Sequence, residues 1–171
     1  MAEAAERLKD TAHIPLYLAN TVQEEPGLRG ARTATEAVHP DIAFAIDTTL
    51  AGDTPVNHNI CSLGKGVVLS MIDSNSIAPR GLVRYVESIC KEHDIPCQYA
   101  VFNKGGTDSG NIHKAFEGIL NMTLSIPIRY MHTNHSMIHE DDVEACIRLI
   151  CELVKDMDDE VFHRILNNES K

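Results

Sequence analysis

The chain has 171 residues, of which 43% are hydrophobic and 23% charged, proportions typical of a globular protein long enough for one domain with a substantial core. Its formal net charge of −10 argues against a nucleic-acid partner, because phosphate backbones are bound by a surplus of Lys and Arg. Five cysteines without a CxxC motif are typical of reduced thiols in a cytoplasm. No apolar run approaches the roughly 20 residues of a membrane span, and the acidic, amphipathic start differs from a signal peptide. We therefore expect a cytoplasmic protein with neither a membrane nor a nucleic-acid partner.

The first half of the chain predicts one helix and three strands. Residues 2–10 are rich in helix formers and resemble the end of a helix. Residues 14–22, "IPLYLANTV", form a nearly continuous apolar run, which is typical of a strand covered on both faces. Residues 41–47, "DIAFAID", and 66–73, "GVVLSMID", show the same pattern.

The second half alternates helices and strands. Helices are predicted at 81–94, 109–117 and 139–158, and strands at 96–102 and 119–130. The helix at 139–158 has the strongest pattern, with acids at its start where the helix dipole favours them. This alternation predicts an α/β fold whose mostly parallel sheet carries helices on both faces.

Acids and imidazoles are concentrated in the loops that follow the predicted strands. In open α/β sheets, ligands bind beyond the carboxyl ends of the strands, so these loops are the places where we expect a functional site. Their sequences are "QEEPG" (23–27), "DTTLAGD" (47–53), "NKGGTDSG" (103–110) and "MHTNH" (131–135).

The residue types in these loops suit a metal site. A zinc ion needs imidazole or carboxylate ligands from separate elements, and Glu25, Asp47 and His132 could supply them. The remaining acid, Glu24, could act as a base towards water in metal-assisted hydrolysis. Two adjacent carboxylates repel each other, and a divalent cation would compensate for that repulsion. A solvated acidic loop is the alternative interpretation.

The residues alone leave several choices open. Asp53 could replace Asp47 as a ligand, although a D-T-P turn favours an ordinary surface position. His135 and His139 compete with His132 for the imidazole position. The glycine-rich segments "LGKG" (63–66) and "GGTDSG" (105–110) suggest a phosphate loop, but neither matches the Walker pattern.

Five motifs together narrow these choices. In chain order they are "TVQEEPGLRGA", "AIDTTLAGDTP", "LGKG", "GGTDSGNIH" and "IRYMHTNHSMIHEDDVE". They resemble the glutamyl and tetrahedral aminopeptidase family of dinuclear metallopeptidases, some members of which are described as endoglucanases, and the resemblance covers nearly the whole chain. It implies that Glu24 is the catalytic base, that Glu25 and His132 share one metal, and that Asp47 binds the other. Pro26 departs from the family, which has an aliphatic residue there.

The resemblance also implies an extent and a set of partners. Residues 1–171 would be the C-terminal portion of a zinc-peptidase (phosphorylase/hydrolase-like) catalytic domain, without the inserted dimerisation domain and the N-terminal segment that carries the other two ligands. The full family site holds two divalent ions, zinc or cobalt, so we expect at most weak or partial binding here. Lys65 and Asp108 would lie beside the cleft and shape the substrate pocket. An unprotected sheet edge would favour a homo-oligomer.

The function implied by the resemblance is metal-dependent removal of N-terminal residues from peptides. Two alternatives are a non-catalytic truncated product and a half-subunit that needs an N-terminal partner. A glycosidase is least favoured, because glycosidase carboxylates flank the scissile bond from opposite sides at about 5 Å or more, whereas Glu24 and Glu25 are chain neighbours.

Overall fold

A computed structural model describes residues 1–55, 61–102 and 104–169. Within these ranges the chain forms six helices and four strands. The helices are α1 (Ala2–Leu8), α2 (Arg29–Val38), α3 (Arg80–Glu92), α4 (Ser109–Ile112), α5 (Glu140–Asp156) and α6 (Asp159–Leu166). The strands are β1 (Ile42–Leu50), β2 (Val67–Ile72), β3 (Cys97–Val101) and β4 (Leu120–Ile128).

The four strands form one sheet in the order β1-β4-β2-β3. The outer pairs β1–β4 and β2–β3 are parallel, and the central pair β2–β4 is antiparallel. The predicted α/β class and mostly parallel sheet are therefore confirmed. Because β2 and β4 are antiparallel, the carboxyl ends of β1 and β4 lie at one end of the sheet and those of β2 and β3 lie at the other.

The main core lies between one face of the sheet and helices α3, α5 and α6. Leu69 and Leu124 of the sheet are fully buried there against Leu82, Ile89 and Leu149 of the helices. This layer contains most of the buried hydrophobic residues of the described ranges, and burial stabilises a fold by roughly 25 cal/mol per Å² of apolar surface. Alternate residues of β1 and β4 point to the opposite face of the sheet.

Helices α2 and α4 cover part of that opposite face. Ala31, Ala45 and Ile112 form a small apolar cluster between them and β1. The predicted placement of helices on both faces is thus confirmed. No helix in the described ranges is long and apolar enough to cross a membrane.

Helix α5 is buried on two sides. Its Cys151 and Val154 contact Ala4 and Leu8 of α1, while other residues of α5 face the sheet. The predicted helix at 139–158 is confirmed as Glu140–Asp156. Cys151 is buried in the core.

The predicted strand at 14–22 is wrong. This segment lies outside the sheet and has no regular secondary structure, and Tyr17 and Val22 are 65% and 67% exposed. An apolar run predicts a buried strand only if neighbouring strands cover it, and no described strand pairs with this one. Instead, the amide of Gly30, at the start of α2, donates to the carbonyl oxygen of Val22 at 2.8 Å.

Candidate active site

The turn that carries the adjacent acids is closed by its own backbone. The carbonyl oxygen of Glu24 accepts hydrogen bonds from the amides of Gly27 at 3.0 Å and Leu28 at 2.7 Å. Gln23 and Leu28, on either side of the acids, adopt left-handed φ values of 57° and 56°. Non-glycine residues in this region are strained, and such strain is concentrated at functional sites.

Helix α4 anchors this turn from the neighbouring element. The side-chain Nδ2 of Asn111 donates to the carbonyl oxygen of Leu28 at 2.8 Å, and the hydroxyl of Thr21 donates to Asp108 Oδ2 at 2.6 Å. The start of α4 is in turn fixed to the sheet, because the Ser109 hydroxyl lies 2.7 Å from that of Thr123. The segment with Glu24 and Glu25 is therefore held over the face of β4.

His132 reaches the same place from the loop after β4. Its Nε2 lies 3.1 Å from Glu25 Oε1, and the two side chains are 70% and 74% exposed. Tyr130 and His132 have left-handed φ values of 61° and 56°, so the backbone of this loop is also strained. The structure thus brings together a carboxylate and an imidazole that are more than 100 residues apart in the sequence.

Asp47 lies on β1, on the face covered by α2 and α4. Its Oδ1 accepts a hydrogen bond from the amide of Thr48 at 2.7 Å. Burial raises the pKa of Asp47, and the charges of Asp108 and Glu25 raise it further, while the Thr48 hydrogen bond and His132 oppose the shift. Asp47 is therefore close enough to the other acids to interact with them electrostatically.

The pKa of Glu24 is raised as well. Burial is the main cause, followed by the charges of Asp47, Glu25 and Asp108, while His132 lowers the pKa. Four carboxylates thus share one region with a single imidazole, and the negative charge there is undercompensated. A divalent cation would relieve this repulsion.

The donor set fits part of a metal site. Two ligands of a tetrahedral zinc ion lie about 3.3 Å apart when each bond is about 2.0 Å, close to the Glu25–His132 separation of 3.1 Å. Asp108 Oδ1 is buried without a hydrogen-bond partner. However, no three His, Cys, Asp or Glu side chains converge on a metal position in residues 1–55, 61–102 and 104–169. Glu25 and His132 therefore offer two donors rather than three.

The "LGKG" loop is bound to the protein itself. The fully buried carboxylate of Asp142, in the first turn of α5, accepts the amides of Gly64 at 2.7 Å and Gly66 at 2.6 Å. These amides are thus unavailable to a phosphate. Lys65 is exposed and precedes β2, at the end of the sheet where β1 and β4 terminate. Sequence reasoning missed Asp142, whose signal is an acid at the start of a helix.

Asp53 is paired with an arginine. The guanidinium of Arg129 donates to both of its carboxylate oxygens at 2.8 Å, and the amide of Leu63 donates to Asp53 Oδ2 at 3.0 Å. These contacts hold the pKa of Asp53 at about 2. Sequence reasoning also missed Arg129, although it stands three residues before His132 in "IRYMH".

Comparison with known proteins matches residues 1–149 to the M42 glutamyl aminopeptidase family. The lysyl aminopeptidase of Pyrococcus furiosus is 35% identical over 159 residues, which cover 92% of this chain and 45% of that protein. The chain spans about half the length of the curated relatives it matches.

Two solved structures are similar in fold as well. The TET aminopeptidase of the marine sediment archaeon Thaumarchaeota archaeon SCGC AB-539-E09 has a TM-score of 0.90 and 36% identity, covering 95% of this chain and 47% of its own. The TET1 peptidase of Pyrococcus horikoshii has a TM-score of 0.69 and 34% identity, covering 80% and 40%, and assembles into a tetrahedron or a large octahedral shell. The family resemblance of the sequence motifs is therefore confirmed.

Proposed function

The chain belongs to the M42 glutamyl aminopeptidase family, and on that premise we propose that it supplies the catalytic base and part of the metal site of a metal-dependent aminopeptidase that removes N-terminal residues from peptides. The observation that carries this proposal is the 3.1 Å approach of Glu25 Oε1 to His132 Nε2. Each side chain comes from a strained loop that other elements hold in place.

In this proposal Glu25 and His132 hold one divalent ion, zinc or cobalt, and Asp47 is a ligand of a second. Divalent ions supply Lewis acidity towards the peptide carbonyl in such hydrolases. Glu24 directly precedes Glu25 and is partly buried among the other acids. In the proposal its carboxylate takes a proton from the attacking water and returns it to the leaving amine.

Asp108 and Lys65 complete the proposed site as residues of the substrate pocket. Asp108 is fixed by Thr21 on the side of α4. Lys65 is presented by the loop that Asp142 restrains. A carboxylate and an ammonium would suit the positive amino terminus and the polar groups of a peptide.

The described residues also support a limit on activity. Catalytic zinc is held by three protein ligands, whereas Glu25 and His132 present two. We therefore expect the 171-residue chain by itself to bind metal weakly and to hydrolyse peptides slowly.

We further propose that the protein is a cytoplasmic homo-oligomer. Its TET1 neighbour assembles into closed shells. The edge strand β3 exposes Tyr99 and Val101, and an exposed apolar edge is a template for association. The described cysteines are free thiols, which is typical of a reducing compartment.

Cobalt titration monitored by calorimetry tests the metal assignment. Glu25→Gln and His132→Ala should each weaken Co²⁺ binding about tenfold or more, because each removes one of two converging donors. Glu36→Gln, which changes an exposed acid on α2, is the matched control and should have no effect. Unchanged cobalt affinity in both ligand variants would refute the assignment.

Turnover of aminoacyl p-nitroanilides tests the role of Glu24, in any preparation of the protein that shows measurable hydrolysis. Glu24→Gln should lower kcat by about 100-fold or more while cobalt affinity stays within about threefold of wild type, because a general base contributes to the barrier rather than to metal binding. Full retention of kcat in this variant would show that another group takes the proton.

A further inference from the structure

Residues 129–137 form the loop that carries His132, and its two ends meet at one backbone bridge. The backbone amide of Arg129 donates to the carbonyl oxygen of Met137 at 2.9 Å, and the backbone amide of Met137 donates to the carbonyl oxygen of Arg129 at 3.2 Å. Between them, Tyr130 and His132 adopt left-handed conformations. Such conformations persist in non-glycine residues only where surrounding contacts hold the backbone.

Burial does not supply those contacts. His132 and Glu25 are both largely exposed, and Tyr130 and Met137 are 54% and 50% exposed. A loop with few buried apolar contacts opens locally at low cost. Polar contacts therefore hold the loop. Inside it, the hydroxyl of Thr133 lies 2.7 Å from the carbonyl oxygen of Tyr130, and further polar contacts lie at its base.

Arg129 makes those contacts through its side chain. Its Nε and Nη2 each donate to Asp53 at 2.8 Å, and Asp53 also accepts the amide of Leu63. Paired, parallel hydrogen bonds of this kind fix orientation as well as distance. The base of the His132 loop is thereby tied to the segment after β1 and to the segment before β2.

We propose that Asp53 and Arg129 are a positioning pair that holds the base of the 129–137 loop so that His132 meets Glu25. Within the described part of the chain, the hydrogen bonds and ion pairs of the two side chains do not include Glu25 or His132, so the pair acts through the backbone of the loop. This inference rests on the proposed function, because the contact it positions is the proposed two-donor metal site.

Three variants and one control test the pair by NMR in the metal-free 171-residue protein. Arg129→Lys keeps the charge but loses the paired geometry, Asp53→Asn removes the charge, and the third variant combines both. Each should abolish the nuclear Overhauser contact between the His132 ring and the Glu25 side chain. Each should also speed amide exchange at Met137 about tenfold. The double variant should be no worse than either single variant, because the two changes remove the same interaction.

Arg7→Lys is the matched control. Arg7 binds Glu144 through two similar hydrogen bonds, 2.6 Å and 2.9 Å, that join α1 to α5. It should leave the His132–Glu25 contact and the Met137 exchange rate unchanged. The proposal is overturned if Arg7→Lys has the same effect, or if the contact survives in Arg129→Lys and Asp53→Asn while only their unfolding stability falls.

Cobalt affinity separates this inference from the proposed function. Arg129→Lys and Asp53→Asn should weaken Co²⁺ binding about tenfold, as loss of a residue that orients a ligand does. If the wild-type protein takes up no cobalt, the proposed metal site fails, and the metal-free contact and exchange rates still decide whether the pair positions His132. Unchanged cobalt affinity in variants whose loop has opened would contradict the positioning role.

Discussion

Gly66 occupies a position that no other residue can take without distortion. Its φ is +94°, and an added Cβ would lie 1.9 Å from the carbonyl oxygen of Pro96. Its amide also donates to the buried Asp142. The second glycine of "LGKG" therefore lets the loop pack against Pro96, immediately before β3.

We predict that Gly66→Ala lowers the free energy of unfolding by at least about 3 kcal/mol, because backbone strain is added to a backbone clash. Gly105→Ala is the matched control, since Gly105 has φ +78° and nothing within 4 Å of an added Cβ, and it should cost only about 1 kcal/mol. Urea unfolding followed by circular dichroism measures both. Equal losses in the two variants would contradict the role of the Pro96 contact.

The sequence suggested candidate site residues but not their contacts. The resemblance of the motifs to a known family implies Glu24, Glu25 and His132, whereas side-chain chemistry alone left His135 and His139 as alternatives to His132. The 3.1 Å contact between Glu25 and His132 depends on two strained loops, and their geometry depends on partners distant in sequence. Arg129 and Asp142 were missed for the same reason, since their roles exist only through tertiary hydrogen bonds.

At the scale of elements, α6 shows what a local pattern leaves out. The helix begins at Asp159, after Asp158 caps it by accepting the amide of Val161 at 2.7 Å. It is only eight residues long, so its apolar pattern is short. Gly81 lets it approach closely, because an added Cβ there would lie 2.2 Å from the carbonyl oxygen of Ile165.

The packing of α6 predicts very different losses of stability for substitutions at two adjacent residues. Ile165 is 5% exposed and Leu166 51% exposed. Ile165→Ala should lower the free energy of unfolding by about 3 kcal/mol, because it leaves a cavity in the main core, and Leu166→Ala should change it by less than about 0.5 kcal/mol. Thermal and urea unfolding measure both, and similar values for the two variants would show that α6 does not pack on α3 in solution.

The Asp53–Arg129 pair joins three segments and predicts a pH dependence. Arg129 lowers the pKa of Asp53 from 3.8 to about 2, so the folded protein binds this proton less strongly than the unfolded chain. The stabilisation is fully present above about pH 4 and is lost as the pH falls through about 2. Because Asp53 is partly exposed, we expect about 1 kcal/mol.

Unfolding of wild type and Asp53→Asn between pH 6 and pH 2 measures this contribution. The stability difference between the two proteins should be largest at pH 5 to 6 and should shrink towards pH 2, since the variant has no proton to bind at this position. A difference that stays constant over the whole range would show that the pair is not ionised in the folded protein.

Most strands and long helices could be predicted because each carries its own periodic pattern. The helix at 81–94 and the strand at 119–130 follow from side-chain spacing alone. The segment 14–22 was misassigned because an apolar run indicates that its side chains favour burial, but it does not show whether a neighbouring strand pairs with the segment. Helix α2 was missed because its buried residues are the small Gly30, Ala31 and Thr35.

At the scale of the whole molecule, the reactivity of the cysteine thiols shows whether the clusters of the core unfold together or separately. Cys61, Cys90, Cys146 and Cys151 are buried, and Cys97 is partly exposed on β3. Cys90 donates a hydrogen bond to the sulfur of Cys97, which lowers the pKa of Cys97. A thiolate that is also accessible reacts fastest with disulfide reagents.

We predict that a dithionitrobenzoate assay of the native protein shows one fast thiol and four slow ones. Cys97→Ser should remove the fast phase and leave the slow ones unchanged. The slow phases should accelerate together as urea unfolds the protein, because helix α5 links the two layers that bury Cys146 and Cys151. Two or more fast thiols in the native protein would show that one of these layers opens by itself.

The sequence by itself determined the α/β class, most of the elements and the residue types of the candidate site, because periodicity and side-chain chemistry are local properties. Only the tertiary structure decided the antiparallel pairing of β2 with β4, which separates the carboxyl ends of the strands into two groups. It also decided that Glu25 meets His132 while Asp53 binds Arg129. These contacts depend on the path of the chain between distant segments, which hydrogen bonds and core packing select together.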